Sequence, residues 1–529
     1  MKSRFLIALI LCSAGWAQTT TPQAPENSKP AAAAASAPAE SDLLKPAEAL
    51  LKERKYQEAA TAFQAIVEKN PATAGAHVGL MRSLLRMREF DEAETAAKAG
   101  LAAVPSSALV SATAGDVAFR AGKFAEAEAA YRSAMKLDNK SARAWYGMGR
   151  MFDMVSMHRQ AKNAFARAHE LDPADRQIAS RWRETLPYAE RLKAAAEGGA
   201  DLPPSEIQYL TAVAQKKPWV LATEINSTEI KMLPYGKELV QSRVTASEGA
   251  MTISRGYGLN VKFNDRTSAV LLLDTGAGGI TVGRKLAEKA GVVKIADSYI
   301  YGIGDKGIVS SYIGWVDKIS IGNVEFHNCI VEVSSKTDIA DEAGLIGADV
   351  FADYLVTLDF KEWKLHLGPL PRNPNAVGGP DDPQDRYIAP EMQAFTRIWR
   401  FGHNLMIPVV VSDQTTGNFI LDTGAMTNHF TPRIAEQVTK LGHGDWIVKG
   451  VSGKVSSVQS GDKAILQFAR IRARSDDFPV SPLDNLSDGE GTEIAGLIGI
   501  KTLVQMKMTI DYRDGLVNLE VYNFKPARE

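Results

Sequence analysis

Cysteine is nearly absent from this chain of 529 residues, which contains only Cys12 and Cys329. If Cys12 is removed with an N-terminal leader, no intramolecular disulfide can form, so stability must come from the hydrophobic core. Cys329 precedes Ile330 and Val331, a context typical of a buried and unreactive thiol. The sequence therefore indicates neither a disulfide scaffold nor an enzyme with a reactive thiol.

The chain also lacks an excess of either charge, with 61 lysine and arginine residues against 62 aspartate and glutamate residues. This balance gives no indication of nucleic acid or an anionic membrane as a partner. The eight histidines are scattered without a His-Glu-x-x-His pattern, and no glycine-rich phosphate loop with a lysine is present. The short motif Gly256-Tyr257-Gly258 predicts a turn rather than a nucleotide site. We therefore expect no metal and no cofactor.

The N-terminus has the pattern of a secretory signal peptide, with Lys2 and Arg4 before the apolar run Phe5–Leu11 and small residues after it. Cleavage after Ala17 would remove residues 1–17 and predicts a secreted, periplasmic or cell-envelope protein. The apolar run is too short to span a bilayer as a helix. Membrane attachment would require an uncleaved leader or a lipid on Cys12, and Leu11 stands where lipidation needs a small residue.

Residues 18–41 are rich in proline and alanine and predict a flexible linker. From residue 42 to residue 196 the chain has a 34-residue period, which aligns Ala59, Ala93, Ala127 and Ala161. This period resembles that of tetratricopeptide repeats, and it predicts an all-α solenoid that folds alone because repeats contact mainly their neighbours. The resemblance implies a protein partner on the repeats; the alternative is that they pack only against the rest of the chain.

A second repeat organises the C-terminal half. Asp274-Thr275-Gly276 and Asp422-Thr423-Gly424 each follow an apolar run that predicts a buried strand, and a shift of 148 residues superposes the two motifs. Further along, Gly344–Gly347 matches Gly496–Gly499 with a shift of 152 residues. The C-terminal half therefore contains two copies of one β-rich unit.

These paired motifs resemble the retropepsin-like aspartic peptidases, with both halves in one chain as in the pepsin-like enzymes. The resemblance covers roughly residues 221–529 and implies an all-β bilobal fold. It predicts a first lobe over 221–371 and a second lobe over 389–529. Residues 197–220 are then a connector and residues 372–388 a proline- and glycine-rich linker.

The chemistry of such a pair follows from the proximity of two carboxylates. Because like charges at short distance cannot both ionise easily, Asp274 and Asp422 would share one proton. The ionised carboxylate can take a proton from water while the protonated one donates to the peptide carbonyl. Which aspartate holds the proton stays open, since the pair titrates as a unit. We predict an aspartic endopeptidase acting on peptides or proteins.

The resemblance assigns supporting roles to four further residues and substrate contact to two. Thr275 and Thr423 would hydrogen-bond across the interface between the lobes, and Gly276 and Gly424 would permit the close approach. The segment around Tyr301 and Gly302 resembles a flap that covers substrate, and residues 449–453 form its counterpart. Whether one flap or two operate is left open.

Two other functional classes compete with the peptidase. The first is a protein whose lobes bind a peptide without cutting it, and the second is an assembly scaffold in which the repeats are the working part. The intact Asp-Thr-Gly motif in both copies favours the enzyme. A threonine nucleophile at Thr275 or Thr423 is disfavoured because neither has a histidine partner in the sequence pattern.

Overall fold

The computed structural model describes residues 40–197, 202–222, 225–235, 256–334, 343–379, 382–444 and 446–522, and the backbone of 238–240 and 251–253. The predicted signal peptide and nearly all of the predicted linker 18–41 lie outside the described residues. In the described part of the chain, no helix is long and apolar enough to cross a bilayer.

The N-terminal region is a run of antiparallel helix pairs, as the 34-residue period predicts. Alanines 59, 93, 127 and 161 are buried at the contacts between paired helices, where a small side chain permits close packing. The helices are α1 (Glu40–Lys52), α2 (Tyr56–Lys69), α3 (Ala74–Met87), α4 (Phe90–Ala103), α5 (Ala108–Arg120), α6 (Phe124–Leu137), α7 (Ala142–Met154), α8 (His158–Leu171), α9 (Arg176–Glu184), α10 (Tyr188–Glu197) and α11 (Pro204–Gln215).

The segment 197–220, expected to be a connector, contains helix α11. Pro204 stands at the first turn, where the missing N–H costs nothing, and Leu210 and Val213 bury one face. The Pro203-Pro204 pair thus begins a helix here instead of marking an irregular linker. The boundaries of the other predicted segments stay predictions.

The first sequence copy forms strands and one short helix. These are β1 (Val220–Leu221), β2 (Thr228–Lys231), β3 (Leu233–Tyr235), β4 (Glu238–Val240), β5 (Met251–Ile253), β6 (Gly256–Phe263), β7 (Thr267–Asp274), β8 (Ile280–Gly283), α12 (Arg284–Ala290), β9 (Val293–Ile300), β10 (Val309–Ile321), β11 (Val324–Ser334), β12 (Gly344–Gly347), β13 (Tyr354–Asp359) and β14 (Lys364–Pro369). Within the described residues, nine of the strands form one sheet in the order β1-β11-β8-β12-β7-β6-β10-β9, with β3 beside β6.

Residues Gly256–Gly258, predicted to be a turn, lie instead in strand β6. Gly258 pairs with Leu233 on one side and Leu272 on the other. A Cβ at Gly258 would lie 2.6 Å from Cγ1 of Val270, so the glycine permits close packing of neighbouring strands. The motif therefore reflects strand packing and not chain reversal.

The second copy repeats this arrangement. Its elements are β15 (Thr396–Arg397), β16 (Trp399–Phe401), β17 (Asn404–Val411), β18 (Thr415–Asp422), β19 (His429–Phe430), α13 (Pro432–Val438), β20 (Leu441–His443), β21 (Lys449–Gly450), β22 (Gly453–Lys454), β23 (Gln459–Phe468), β24 (Ile471–Val480), α14 (Asp484–Glu490), β25 (Gly496–Gly499), α15 (Ile500–Leu503), β26 (Met506–Asp511) and β27 (Leu516–Val521). Among the described residues, eight strands form its sheet in the order β16-β17-β18-β25-β19-β24-β23-β20.

A third sheet joins the two copies. It has six strands in the described part of the chain, in the order β15-β27-β26-β13-β14-β2, so it takes strands from both copies. Strands β13 and β26 pair antiparallel at its centre, where Thr357 lies opposite Thr509 and their hydroxyl oxygens are 3.1 Å apart. Because these threonines are equivalent in the sequence repeat, the two copies meet symmetrically. The predicted layout, a helical solenoid followed by a β-rich region, is confirmed.

The solenoid also packs against the second copy, a contact that the sequence analysis kept as an alternative to partner binding. Phe119 and Phe124 at the α5–α6 turn pack against Trp399 and Phe401 of the second copy, with 4.6 Å between the ring centroids of Phe124 and Trp399. The three phenylalanines belong to one buried apolar cluster that also includes Leu497 of β25, and Trp399 packs against this cluster. The solenoid and the second copy therefore share a hydrophobic core.

Candidate active site

Two parallel strand pairs deliver the predicted catalytic aspartates to the same place. Strand β7 ends at Asp274, which pairs with Gly347 of β12, and strand β18 ends at Asp422, which pairs with Gly499 of β25. The residues before each aspartate are buried, so each carboxyl group is fixed at the end of a rigid strand. Both motifs singled out in the sequence thus occupy equivalent positions in the two copies.

The two threonines link these strand ends by four reciprocal hydrogen bonds. The hydroxyl of Thr275 donates to the carbonyl of Leu421 at 2.6 Å and accepts the Thr423 amide at 3.1 Å. The Thr423 hydroxyl donates to the carbonyl of Leu273 at 2.8 Å and accepts the Thr275 amide at 3.0 Å. Both side chains are almost fully buried, and breaking such bonds would leave buried polar groups unsatisfied.

The two glycines bring each carboxyl group against the opposite loop. A Cβ at Gly276 would lie 2.8 Å from Cγ of Asp422, and a Cβ at Gly424 would overlap the carboxyl group of Asp274. The Gly276 amide donates to Oδ1 of Asp274 at 2.8 Å, and the Gly424 amide donates to Oδ1 of Asp422 at 2.8 Å. The structure therefore brings all six predicted catalytic and supporting residues into one cluster.

Burial and mutual repulsion keep a proton in this pair. Burial is the largest cause that raises the pKa of Asp274 well above its usual range, and the charge of Asp422 adds to it. Burial also raises the pKa of Asp422, but the amides of Ala425 and Gly424 and a hydrogen bond from Asp274 oppose that rise. Because both pKa values are raised and the carboxyl groups repel each other when ionised, the pair as a whole holds one proton. The arrangement supplies one base and one acid.

The predicted flap residues lie in the first hairpin tip, residues 301–308, which connects β9 to β10. Tyr301 is 46% exposed and its ring lies against Gly489 of α14, so that a Cβ at Gly489 would overlap it. The amide of Gly302 donates to the hydroxyl of Ser452 at 3.1 Å. Among the described residues, neither of the two hydrogen-bonds to the aspartates, and their contact with substrate stays a prediction.

The second hairpin tip, residues 449–456, contacts the first directly. Ser452 is fully buried; its amide donates to the carbonyl of Ile303 at 3.0 Å, and its carbonyl accepts the Lys306 amide at 3.1 Å. The Asp305 amide donates to the carbonyl of Lys454 at 3.1 Å. Both copies therefore contribute a hairpin tip, and the two tips form one bonded unit.

Sequence reasoning did not find two titratable residues beside the first aspartate loop. The Asp349 carboxylate accepts the Gly279 amide at 3.0 Å, and a Cβ at Gly278 would lie 2.6 Å from Nδ1 of His403. Burial raises the pKa of Asp349 and lowers the pKa of His403. Asp349 follows the repeated segment Gly344–Gly347 by two residues, and this position could have drawn attention to it. His403 aligns with Arg255 in the first copy, so the sequence repeat does not mark it.

Glu490 is a third residue that the sequence did not point to. It is the last residue of helix α14, its carboxylate accepts a hydrogen bond from the side-chain amide of buried Asn404 at 2.8 Å, and burial raises its pKa to about 7.

In the described residues, no group of three or more histidine, cysteine, aspartate or glutamate side chains could hold a metal ion. The titratable groups beside the first aspartate loop include the carboxyl group of Asp349 and the imidazole of His403.

Comparisons with protein families agree with both parts of the fold. Residues 259–350 match a model described as aspartyl protease, and residues 50–114 and 112–153 match two models described as tetratricopeptide repeat. The chain thus contains an aspartyl protease domain over 259–350, preceded by tetratricopeptide repeats. The matched protease segment contains Asp274 but not Asp422.

Several solved structures resemble the repeat region. A Pseudomonas aeruginosa pilF structure is 16% identical, covers 34% of this chain and 85% of its own, and has a TM-score of 0.28. A thermophilic tetratricopeptide repeat protein from Thermus thermophilus is 18% identical over 34% of this chain and 100% of its own, with a TM-score of 0.29. A tetratricopeptide repeat protein from Parabacteroides merdae is 14% identical over 33% of this chain and 72% of its own, at 0.27. Comparison with curated proteins gave no match.

Proposed function

We propose that this protein is a single-chain aspartic endopeptidase of the retropepsin-like type, in which Asp274 and Asp422 activate water for peptide hydrolysis. The observation that carries the proposal is the paired carboxyl groups, each at the end of an equivalent strand and linked by reciprocal threonine hydrogen bonds. Matching strand ends from two copies of one unit give the site its two equivalent halves.

The proposed reaction needs no group beyond water and the two side chains. The ionised carboxylate of the pair takes a proton from water, and the water oxygen attacks the carbonyl carbon of the peptide bond. The protonated carboxyl group of the pair donates its proton to the carbonyl oxygen and so stabilises the tetrahedral intermediate. Collapse of the intermediate breaks the C–N bond: the carboxyl group that took the proton from water gives it to the leaving amine nitrogen, and a hydroxyl of the intermediate returns its proton to the other carboxylate, which restores the singly protonated pair.

The test is a peptide-library digest with wild-type enzyme, Asp274→Asn and Asp422→Asn. We expect both variants to lose activity to background, because an amide can neither take the proton from water nor share one with its neighbour. Asp413→Asn is the matched control, since Asp413 is 61% exposed on a turn of the same copy. Near-full activity in either dyad variant would refute the mechanism. Peptide binding without cleavage by the wild type would favour the binding-protein alternative.

For the repeats we propose a protein partner or substrate, and for the chain as a whole export to the cell envelope or beyond. The first proposal is supported by the family matches over residues 50–153, since tetratricopeptide repeats generally mediate protein contacts. The second rests on the sequence pattern of residues 1–17 alone. Cell fractionation with an antibody against the repeats, and N-terminal sequencing of the mature chain, would test export.

A further inference from the structure

The segment between strands β24 and β25 in the second copy is longer than its counterpart between β11 and β12 in the first copy. Fifteen residues, 481–495, separate β24 from β25, whereas nine residues, 335–343, separate β11 from β12. The additional residues include helix α14 (Asp484–Glu490). Since the corresponding segment of the first copy has only nine residues, the two copies are unequal at this point of the chain.

Two arginines of the solenoid bind this helix. Arg120, at the end of α5, donates to the carbonyl of Ser487 at 2.6 Å and pairs with the carboxylate of Asp488. Arg88, just after α3, pairs with the same Asp488 at 2.8 Å and with Asp484 at 3.0 Å. Both arginine side chains are largely buried, with 18% and 22% of their surfaces exposed, so solvent screens these pairs less than ordinary surface pairs.

The residues that follow α14 are also fixed by the solenoid. The amide of Glu493 donates to the carbonyl of Arg120 at 2.8 Å, and the buried hydroxyl of Thr492 donates to the carbonyl of Phe119 at 2.7 Å. The Glu493 carboxylate also accepts Arg88 at 3.0 Å. Hydrogen bonds to the end of helix α5 therefore hold the turn from α14 into β25. Strand β25 in turn pairs with the strand that ends at Asp422.

The opposite side of α14 contacts the first hairpin tip. The ring of Tyr301 lies on Gly489, and the Asn485 side-chain amide donates to the carbonyl of Gly304 at 3.0 Å. Leu486 of α14 and Ile303 of the hairpin tip border the same apolar cluster, which Ala425 of the aspartate loop also borders. One helix thus touches both the solenoid and the hairpin tip.

We propose that Arg88 and Arg120 of the repeats are positioning residues for the peptidase, because they fix helix α14 and α14 in turn fixes the first hairpin tip against the second aspartate loop. This inference rests on the proposed function for its catalytic consequence but not for the structural coupling itself. It gives the repeats a role inside the enzyme in addition to partner binding. A ligand that moves the α3–α5 edge of the solenoid would change the order of the hairpin tip.

Amide hydrogen exchange of the hairpin tips in the full chain tests the coupling without requiring hydrolysis. The reporting amides are those of Gly302, Asp305, Lys306 and Ser452, each of which donates across the contact between the tips. The variants are Arg120→Ala and Asp488→Asn, the latter at a side chain 57% exposed and so safe for folding. We expect exchange at these amides to rise about three- to tenfold, in keeping with partly buried charged hydrogen bonds.

The matched control is Asp91→Asn. It removes a different ion pair between the solenoid and the second copy, Asp91 with Arg433 at 2.6 Å, which does not involve α14. Unchanged exchange in this control, together with a rise in the two test variants and partial recovery in Arg120→Lys, would support the proposal. Unchanged exchange in both test variants would overturn it, as would an equal rise in the control.

Peptide cleavage by the same variants supplies the catalytic readout. We expect the KM to rise about three- to tenfold with kcat little changed, because loosened binding contacts affect substrate and transition state alike. A general loss of folding would instead lower the fraction of active enzyme and leave KM unchanged. If wild type cuts no peptide while hydrogen exchange follows the expected pattern, the proposed function fails and the structural coupling stands.

Discussion

At the scale of single residues, the close approach of Asp274 and Asp422 depends on two glycines, which have no side chain. Gly276 and Gly424 each face the carboxyl group of the opposite copy at a distance that leaves no room for a methyl group. The motif therefore requires glycine for space across the interface as well as for the turn within its own loop. This second requirement is visible only when both copies are in place.

Gly424→Ala should damage the site although alanine is the smallest change available. The added methyl group overlaps the Asp274 carboxyl group, and we expect a loss of about 1–3 kcal/mol in the free energy of unfolding. Catalytic rate should fall about 100-fold, since small displacements of catalytic groups have effects of that size. Gly442→Ala is the control, because a Cβ at Gly442 meets nothing within 4 Å. Equal behaviour of the two variants in urea unfolding and in peptide cleavage would contradict the packing argument.

The pH dependence of the proposed activity follows from the raised pKa values of both aspartates. The singly protonated pair exists between the two pKa values; activity falls at low pH, where both are protonated, and at high pH, where both are ionised. Because burial raises the pKa of Asp422 as well as that of Asp274, the acidic limb lies above the usual aspartate range. We expect an optimum at mildly acidic to neutral pH.

Residues 277 and 425 allow a direct test. Both are alanine, and the Ala425 amide already donates to Asp422 at 2.9 Å, which places the residue beside the carboxylate. A serine hydroxyl there would donate a further hydrogen bond to the ionised form and lower its pKa. Ala277→Ser with Ala425→Ser should therefore move the acidic limb of the pH–rate profile downward. A wild-type optimum at strongly acidic pH, or an acidic limb that stays in place, would count against this explanation.

The sequence could predict the equivalent placement of the two aspartates because the signals for it are local, whereas their catalytic role stays a prediction. An apolar run that ends in Asp-Thr-Gly predicts a buried strand and a turn, and its repetition predicts the pairing of Asp274 with Asp422. His403 could not be found in this way, since it reaches the first aspartate loop from a turn in the other copy and its repeat counterpart is Arg255. A contact between distant elements leaves no periodic signal.

At the scale of elements, the two hairpin tips act as one unit through a single buried hydroxyl. The Ser452 hydroxyl accepts the Gly302 amide and donates to the carbonyl of Gly307, so it bridges both sides of the first tip from the second copy. The main-chain hydrogen bonds between the tips form next to this hydroxyl, which holds the two tips in alignment. Separating the two hairpin tips therefore requires breaking hydrogen bonds between the copies.

Ser452→Ala should loosen this contact. Loss of the hydroxyl leaves two buried backbone groups without their partner, and we expect hydrogen exchange at Gly302 to accelerate about tenfold. Ser456→Ala is the control, because residue 456 is exposed and contributes only its backbone amide, which donates to Asp305. Slow exchange at Gly302 in both variants would show that the main-chain bonds suffice without the hydroxyl.

Helix α14 was not predicted, and the reason is physical. Its seven residues contain a glycine and three acidic residues and have little intrinsic preference for a helix. The arginines that stabilise it lie about 370 to 400 residues earlier in the chain, as the separations of the Arg120–Asp488 and Arg88–Asp488 pairs show. Tertiary contacts decide the conformation of this segment.

At the scale of the whole molecule, the shared core makes the solenoid dependent on the second copy. We expect a fragment of residues 40–197 to keep a helical circular dichroism spectrum, because each repeat retains its neighbours. We also expect it to expose the cluster around Phe119 and Phe124, to bind a hydrophobic dye and to self-associate in sedimentation experiments. The full chain is the control. A monomeric fragment that binds no dye and melts at the same temperature as the repeats of the full chain would contradict this dependence.

The unequal lengths of the β24–β25 and β11–β12 connections have a consequence for how a peptide would bind. A peptide has a direction, from amino to carboxyl end, and a cleft with exact twofold symmetry presents the same surface to either direction. Here fifteen residues that include helix α14 join β24 to β25 in the second copy, whereas nine residues join β11 to β12 in the first. A substrate would therefore be bound in one orientation in preference to its reverse. The residues on the two sides of the scissile bond would then be selected by different surfaces, which a dimer of identical halves cannot do.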